Sequence, residues 1–148
     1  MTKNEALLNE FLVDVFNDIL RLEETNINKS GYSNISVSEM HVLEVIARLG
    51  SEAPCGMAEV AQALGVTAGT LTIAVKTLEQ KGFVRRERGE KDKRRVQLTL
   101  CEGAKDALRA HEQFHEKLVA NAAATLSEGE MCALTQALGS LHMFFKGL

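Results

Sequence analysis

Residues 85–100 read RRERGEKDKRRVQLTL, a basic cluster that runs directly into alternating apolar positions. Period-two alternation on both sides of GEKDK predicts two antiparallel strands, over residues 83–88 and 95–100, joined by a charged turn. Residues 81–95 hold eight basic and three acidic side chains, a local charge of +5, whereas the whole chain carries −3. The remaining residues therefore sum to −8. Positive charge is concentrated on one hairpin.

A basic edge on an acidic body is typical of a phosphate-binding surface. The alternative is a solvated loop, which is common for a charge run taken alone. The segments on either side of the hairpin must decide between the two.

Composition limits the class of protein. A chain of 148 residues with 45% hydrophobic residues and a single proline fits one globular domain with a closed core. It has no apolar run of the roughly 18 residues that a membrane span needs, and its start, MTKNEALLNE, lacks the pattern of a secretory signal. Three scattered cysteines form no CxxC pair, so reduced thiols and a cytoplasmic protein without a membrane partner are expected.

The first half of the chain predicts two helices. Apolar residues recur at helical spacing over residues 8–22, and the stripe is wider than one face, so this helix needs more than one partner. Ser36 and Glu39 form a capping box that predicts a second helix from about Val37 to Gly50.

Two short helices follow and precede the hairpin. Residues 57–64 predict a third helix that Gly65 ends in the left-handed conformation. Thr67 is an N-cap for a fourth helix that ends at Gly82. Two short helices across a tight turn, followed by a basic hairpin, are typical of a winged helix-turn-helix. The predicted fold is mainly α with a small β-hairpin wing.

The fourth helix and the wing are the predicted DNA-binding elements. In such folds the second helix of the pair enters the major groove, and the wing tip contacts the backbone or the minor groove. Small residues at the helix N-terminus allow close approach, threonine hydroxyls donate hydrogen bonds, and Ile73 can contact a thymine methyl. A helix that only packs, with solvated threonines, is the alternative. The predicted contacts are Thr67, Gly69, Thr70, Thr72, Ile73, Lys76, Arg86, Arg88, Lys91, Asp92, Lys93, Arg94 and Arg95.

The C-terminal third predicts two amphipathic helices. Residues 104–122 share an apolar face, and a capping box at Ser127 and Glu130 opens a last helix with an apolar seam over residues 131–145. These helices and the first one carry more apolar surface than a small winged domain can cover. We therefore expect a homodimer on a pseudo-palindromic operator. Within one domain of residues 1–148, the predicted parts are 1–30 and 101–148 for dimerisation and 35–100 for DNA binding.

Nearly the whole chain resembles the MarR family of transcriptional regulators. The resemblance rests on the long first helix, the winged helix-turn-helix, two C-terminal helices and a D-x-R wing tip, here Asp92, Lys93 and Arg94. It implies that Asp92 orients Arg94 towards the minor groove. The family usually continues with leucine-threonine-x-x-glycine, whereas this chain has LCEGA, so Cys101 stands in place of the threonine cap.

Three segments resemble the fatty-acid-synthesis repressors of Gram-positive bacteria within that family. They are LNEFLVDVFNDILRLEE at 8–24, ISVSEMHVLEVI at 35–46 and QFHEKLV at 113–119. Those repressors bind long-chain acyl groups on acyl carrier protein, which promotes repression. The resemblance implies an acyl effector and an apolar pocket lined by Phe11, Val15, Ile19 and Phe114, side chains that are otherwise ordinary core residues.

Residues 111–115, HEQFH, spell the H-E-x-x-H helix motif of zinc peptidases. No downstream H-x-x-G-x-x-H follows, and every segment is already assigned to a DNA-binding fold, so a metallopeptidase is a remote alternative and no enzyme is expected.

His111 and His115 still need a hydrogen-bonding or metal partner, because both lie on the apolar face of the predicted fifth helix. The family resemblance implies that the end of the first helix, the start of the second and the middle of the fifth converge, and zinc-responsive members resemble this arrangement. Glu24, His41, His111 and His115 would then offer zinc three nitrogens and one oxygen. The favoured interpretation is a hydrogen-bonded cluster that requires no metal. A zinc-responsive regulator is the alternative.

Overall fold

Six helices and a three-stranded sheet make up the chain in a computed structural model that describes every residue from Met1 to Leu148. The elements are α1 (Lys3–Lys29), α2 (Val37–Leu49), β1 (Cys55–Gly56), α3 (Met57–Leu64), α4 (Ala68–Gln80), β2 (Val84–Arg88), β3 (Val96–Leu100), α5 (Glu102–Ala123) and α6 (Glu128–Lys146). The predicted fold class, mainly α with a small β-hairpin wing, is confirmed.

Helix caps stand where local sequence predicted them. The Ser36 and Ser127 hydroxyls each accept the backbone N–H of the residue three positions later, which is a glutamate in both cases. The carboxylate of that glutamate accepts the backbone N–H of the serine. Gly65 ends α3 at φ 68°, and Gly82 follows α4 at φ 81°. These caps satisfy backbone groups that a helix end otherwise leaves without partners.

Helices α3 and α4 form the helix-turn-helix. The chain bends by 109° across the three residues 65–67 that join them, within the range usual for this motif. No single helix of the chain is long and apolar enough to cross a membrane, and only this bent pair meets such a test, by length and composition alone. In the fold, its side chains Val60, Leu71 and Val75 are buried in the core.

The sheet contains a strand that the sequence analysis did not predict. β1 pairs antiparallel with β3, Cys55 opposite Leu98 and Gly56 opposite Gln97. On its other edge β3 pairs with β2, so the order is β1-β3-β2. A two-residue strand has no periodicity to detect. Its consequence is that β3 is the central strand, which anchors the base of the wing, residues 84–100.

The buried core lies in the helix-turn-helix, the wing base and the start of α5. Its residues come mainly from α2, α3, α4 and the three strands, with Ala104 and Ala107 from α5. In contrast, α1 buries only Glu23 and Ile27, and α6 buries no residue.

The chain divides into two compact units, Met1–His111 and Glu112–Leu148. This boundary lies inside α5 rather than at residue 101. The assignment of 1–30 and 101–148 to dimerisation and of 35–100 to DNA binding stays a prediction.

Two glycine substitutions should have opposite effects on stability. Gly65→Ala forces a side chain into the left-handed region and should lower the free energy of unfolding by about 1 kcal/mol. Gly129→Ala is the matched control, because it lies inside α6 with open space around its Cβ position, and it should raise that free energy by about 0.5–1 kcal/mol. Chemical denaturation measures both. Two changes of the same sign would contradict the assignment of the α3–α4 turn.

Candidate nucleic-acid interface

Helix α4 has one buried and one exposed face. Leu71, Val75 and Leu78 are buried in the core, each at most 1% exposed. On the opposite side Gly69 and Lys76 are exposed, and Ile73 is 71% exposed. An isolated, fully projecting isoleucine between small and basic residues suits contact with base edges in a groove.

The threonines at the N-terminal end of α4 have different hydrogen-bonding duties. Thr67 caps the helix, because its Oγ1 accepts the N–H of Thr70 at 3.2 Å and donates to the Thr70 hydroxyl at 2.9 Å. The Thr72 hydroxyl donates to the Ala68 carbonyl at 2.8 Å. The hydroxyl proton of Thr70 is therefore the one best placed to reach a phosphate near the helix N-terminus.

The wing tip is a tight, glycine-dependent turn. Asp92 Oδ1 accepts the backbone N–H of Arg94 at 3.0 Å, and Gly89 N–H donates to the Arg95 carbonyl at 2.8 Å. A Cβ at Gly89 would lie only 2.7 Å from the Asp92 carbonyl oxygen, so the turn has no space for a side chain there. Asp92 thus holds the backbone of the wing turn at Arg94.

The basic residues of the hairpin fall into two groups. Arg88, Lys91, Lys93 and Arg94 are exposed and have no carboxylate within 4 Å. Lys76 on α4 is also exposed and unpaired. No carboxylate of the chain pairs with these cations, which lie on the wing and the neighbouring helix and are open to an anionic partner.

The other group is held by carboxylates. Arg86 pairs with Glu79 of α4, with Nη2 to Oε1 at 2.9 Å, and Arg95 pairs with Glu59 of α3. The hydrogen bond from Arg86 lowers the pKa of Glu79 and raises that of Arg86, so both stay charged. The predicted DNA contacts of Arg86 and Arg95 remain predictions, and within this chain both guanidinium groups already have partners.

The sequence analysis missed Glu79 and Glu59. One signal was available: Glu79 stands in the last turn of α4, where the helix dipole disfavours a negative charge. An acid there indicates a cationic partner outside the helix.

A second polar cluster joins α1, α2 and the first half of α5. Glu23 is 4% exposed, and its carboxylate lies 3.5 Å from His41 Nε2 and 3.7 Å from His111 Nε2. His111, 1% exposed, lies 3.1 Å from Glu44 Oε1 through the same nitrogen. Ligand atoms of His41, Glu44 and His111 all lie within 4.8 Å of one another, as a metal set would require.

The structure places Glu23, and not the predicted Glu24, beside His41 and His111. Glu24 is exposed and lines an open groove with His41, while the buried carboxylate beside the histidines belongs to Glu23. One residue turns a helix by about 100°, so neighbours along the sequence face different sides. His115 lies in the second compact unit, where its ring packs edge-on against Phe114 at 5.3 Å.

The predicted effector residues on α1 are partly exposed. Phe11 and Ile19 are exposed and Val15 is half-buried, so their shared face is largely uncovered by the chain. Phe114 is half-buried in the second unit. A separate groove of about 660 Å³ lies between the end of α1 and the start of α2, and its apolar lining is Leu20, Ile27, Ile35 and Val37.

Comparison with known proteins identifies this architecture. Residues 33–95 match the model of the MarR family. The HTH-type transcriptional regulator BilQ of Clostridium symbiosum is 34% identical over 102 residues, which cover 68% of this chain and 70% of BilQ. The chain belongs to the MarR family.

Solved structures agree over nearly the full length. FabT of Streptococcus pneumoniae, solved in complex with DNA, is 34% identical, with a TM-score of 0.90 over 97% of this chain and 98% of FabT. Staphylococcus aureus MarR, solved with salicylate and kanamycin, is 20% identical with a TM-score of 0.79, and this likeness shows the fold alone.

The protein is thus a MarR-type DNA-binding transcriptional regulator. Its relatives are regulators and not enzymes, which removes the metallopeptidase interpretation of HEQFH. His111 of that motif is buried against Glu23 and Glu44 instead.

Loss of a wing cation should weaken DNA binding and its dependence on salt. Arg94→Ala should lower affinity for duplex DNA and reduce the slope of log K against log salt by about 1 for each phosphate contact removed. Lys29→Ala removes the same charge at the end of α1 and should leave the slope unchanged. Fluorescence anisotropy at several salt concentrations measures both. Equal slopes for the two variants would show that Arg94 makes no phosphate contact.

Proposed function

We propose that this MarR-type regulator is a cytoplasmic repressor that binds a pseudo-palindromic operator as a homodimer. One observation carries the proposal: the projecting face of α4 lies on the same compact unit as a wing with four unpaired cations. A helix suited to the major groove and a cationic tip suited to the minor groove together read one half-site.

The proposed dimer is supported by apolar surface on the terminal helices. Phe16 on α1 is 62% exposed and Met143 on α6 is 69% exposed, values unusual for side chains of this size. Further apolar side chains of α1 and α6 are also exposed, namely Leu7, Leu8, Phe11, Leu12, Val13, Ile19, Leu22, Leu134, Leu138, Phe144 and Phe145. A second copy of the chain would cover such a surface and would supply the second half-site reader.

The two-fold axis of a dimer constrains the operator. Two α4 helices can occupy successive major grooves only if the half-sites lie about one helical turn, roughly 10 base pairs, apart. Contacts with the phosphates add affinity that does not depend on sequence.

Disrupting one half-site should therefore abolish most of the preference for the operator. A duplex selected by the protein from a random pool is compared in gel shifts with the same duplex after one half-site is scrambled. We expect the scrambled duplex to bind at least about tenfold more weakly, since several base contacts are lost. Equal affinity for the two duplexes would contradict the operator proposal.

The regulated pathway we propose is fatty-acid synthesis, with a long-chain acyl group on acyl carrier protein as effector. It is supported by the resemblance of residues 8–24, 35–46 and 113–119 to such repressors and by the 34% identity to FabT. The groove between α1 and α2 has four aliphatic side chains, Leu20, Ile27, Ile35 and Val37, in an otherwise polar lining. An effector acts by binding more tightly to the state whose two α4 helices match the groove spacing, and a few kcal/mol suffices.

Zinc is the second candidate effector, favoured by the partly buried cluster of His41, Glu44 and His111, with the Glu23 carboxylate beside both histidines. Two imidazole nitrogens and a carboxylate oxygen are a donor set that zinc accepts, and ligand atoms of His41, Glu44 and His111 lie within 4.8 Å of one another. When bound by these three residues, zinc would cross-link α2 and α5. Without it, the same residues form a polar cluster with Glu23.

One titration separates the two effectors. Operator affinity is measured with long-chain acyl carrier protein and, separately, with zinc. We expect the acyl carrier protein to tighten binding and zinc to leave it unchanged. A zinc response that is lost in Glu44→Gln and retained in the control Glu24→Gln would instead assign the effector role to the metal.

A further inference from the structure

Two ion pairs connect the wing to the helices that precede it. Arg86, in the middle of β2, lies with Nε 3.3 Å from both carboxylate oxygens of Glu79 and with Nη2 2.9 Å from one of them. We call this pair the α4 clasp. Arg95, immediately before β3, binds Glu59 of α3, and we call this pair the α3 clasp.

The α3 clasp is built into the start of α3. Glu59 also accepts the N–H of Gly56, the N-cap of that helix, at 3.5 Å. A Cβ at Gly56 would lie 3.2 Å from Arg95 Nε, so a glycine leaves space for the guanidinium. The carboxylate thus links the helix N-terminus, β1 and the base of the wing.

The α4 clasp joins two elements, α4 and the sheet, that backbone pairing leaves weakly connected. α4 leads into β2 through residues 81–83, where Gly82 adopts φ 81°. Hydrogen bonds within the sheet set the register of β2 on β3, and they do not fix the angle between the sheet and α4. A forked guanidinium on a carboxylate is directional and resists rotation at this joint.

The charge of Glu79 and Glu59 is unfavourable for phosphate binding taken by itself. Each carboxylate neutralises a guanidinium next to the predicted DNA surface, which lowers the attraction to a polyanion. Glu79 also lies in the last turn of α4, where the helix dipole disfavours a negative charge. Electrostatic attraction does not account for them, whereas a geometric role does.

We propose that Glu79 and Glu59 are positioning residues that hold the wing at a fixed angle to α4 by way of Arg86 and Arg95. The proposal rests on the operator contact proposed above. With the angle fixed, Arg94 reaches the minor groove while α4 occupies the major groove. The unpaired cations at Arg88, Lys91, Lys93 and Arg94 bind DNA, and the two paired arginines act through the shape of the interface.

Neutralising Glu79 tests the sign of the effect. Glu79→Gln removes a negative charge, so charge alone predicts tighter binding to every duplex. The clasp predicts that operator affinity falls by about three- to tenfold, while affinity for a scrambled duplex stays the same or rises. Glu87→Gln is the matched control, because Glu87 lies 3.9 Å from Arg85 of its own strand and joins no second element. It should not lower operator affinity.

Footprinting adds a readout that a general loss of structure would not produce. In Glu79→Gln, protection of the minor groove by the wing should weaken while protection of the major groove by α4 persists, with an unchanged melting temperature. The exchanged pair Glu79→Arg with Arg86→Glu should restore the minor-groove protection. If the exchanged pair is as defective as Arg86→Glu alone, Arg86 contacts DNA directly and the proposal is overturned.

Failure of the proposed operator binding can be distinguished from failure of the clasps. A wild-type chain with no preference between operator and scrambled duplex overturns the proposed function and the clasps with it. An intact wild-type preference that Glu79→Gln and Glu59→Gln both leave unchanged overturns the clasps alone.

Discussion

The burial of Leu71, Val75 and Leu78 under α2 and α3 is the constraint on which the DNA-binding surface depends. These three side chains fix the rotation of α4 about its axis, so Gly69, Ile73 and the other outward positions cannot turn inward. Because β2 begins four residues after α4 ends, the same packing also sets where the wing starts. A small hydrophobic contact therefore defines both halves of the interface.

Charge is distributed to match that geometry. The chain is acidic overall, yet the wing tip holds Arg88, Lys91, Lys93 and Arg94 without acidic partners. Glu59 and Glu79 lie at the base of the wing, where they pair with Arg95 and Arg86 and join it to the helices. Cations at the tip suit contact with phosphates, and ion pairs at the base suit a rigid attachment. Different residues would thus supply the affinity for DNA and the orientation of the wing.

The sequence predicted what local chemistry determines. Capping boxes at Ser36 and Ser127, and the glycine at 65, fixed helix ends because their bonds lie within a few residues. It could not predict β1, whose two residues pair with a strand about 40 positions away. Nor could it distinguish Glu23 from Glu24, because that choice depends on the rotation of α1 in the packed unit. Long-range ion pairs such as Glu59–Arg95 are hidden for the same reason.

The terminal helices leave most of their surface uncovered within one chain, because α6 buries none of its residues and α1 buries only two. On the proposed two-fold operator a single chain contacts only one half-site, so we infer that two copies act together on one duplex. Sedimentation of the protein with a selected operator duplex measures this directly. We expect the protein to sediment as a dimer in the absence of DNA and to place two chains on each duplex. Monomers in solution that bind the duplex singly and independently would contradict it.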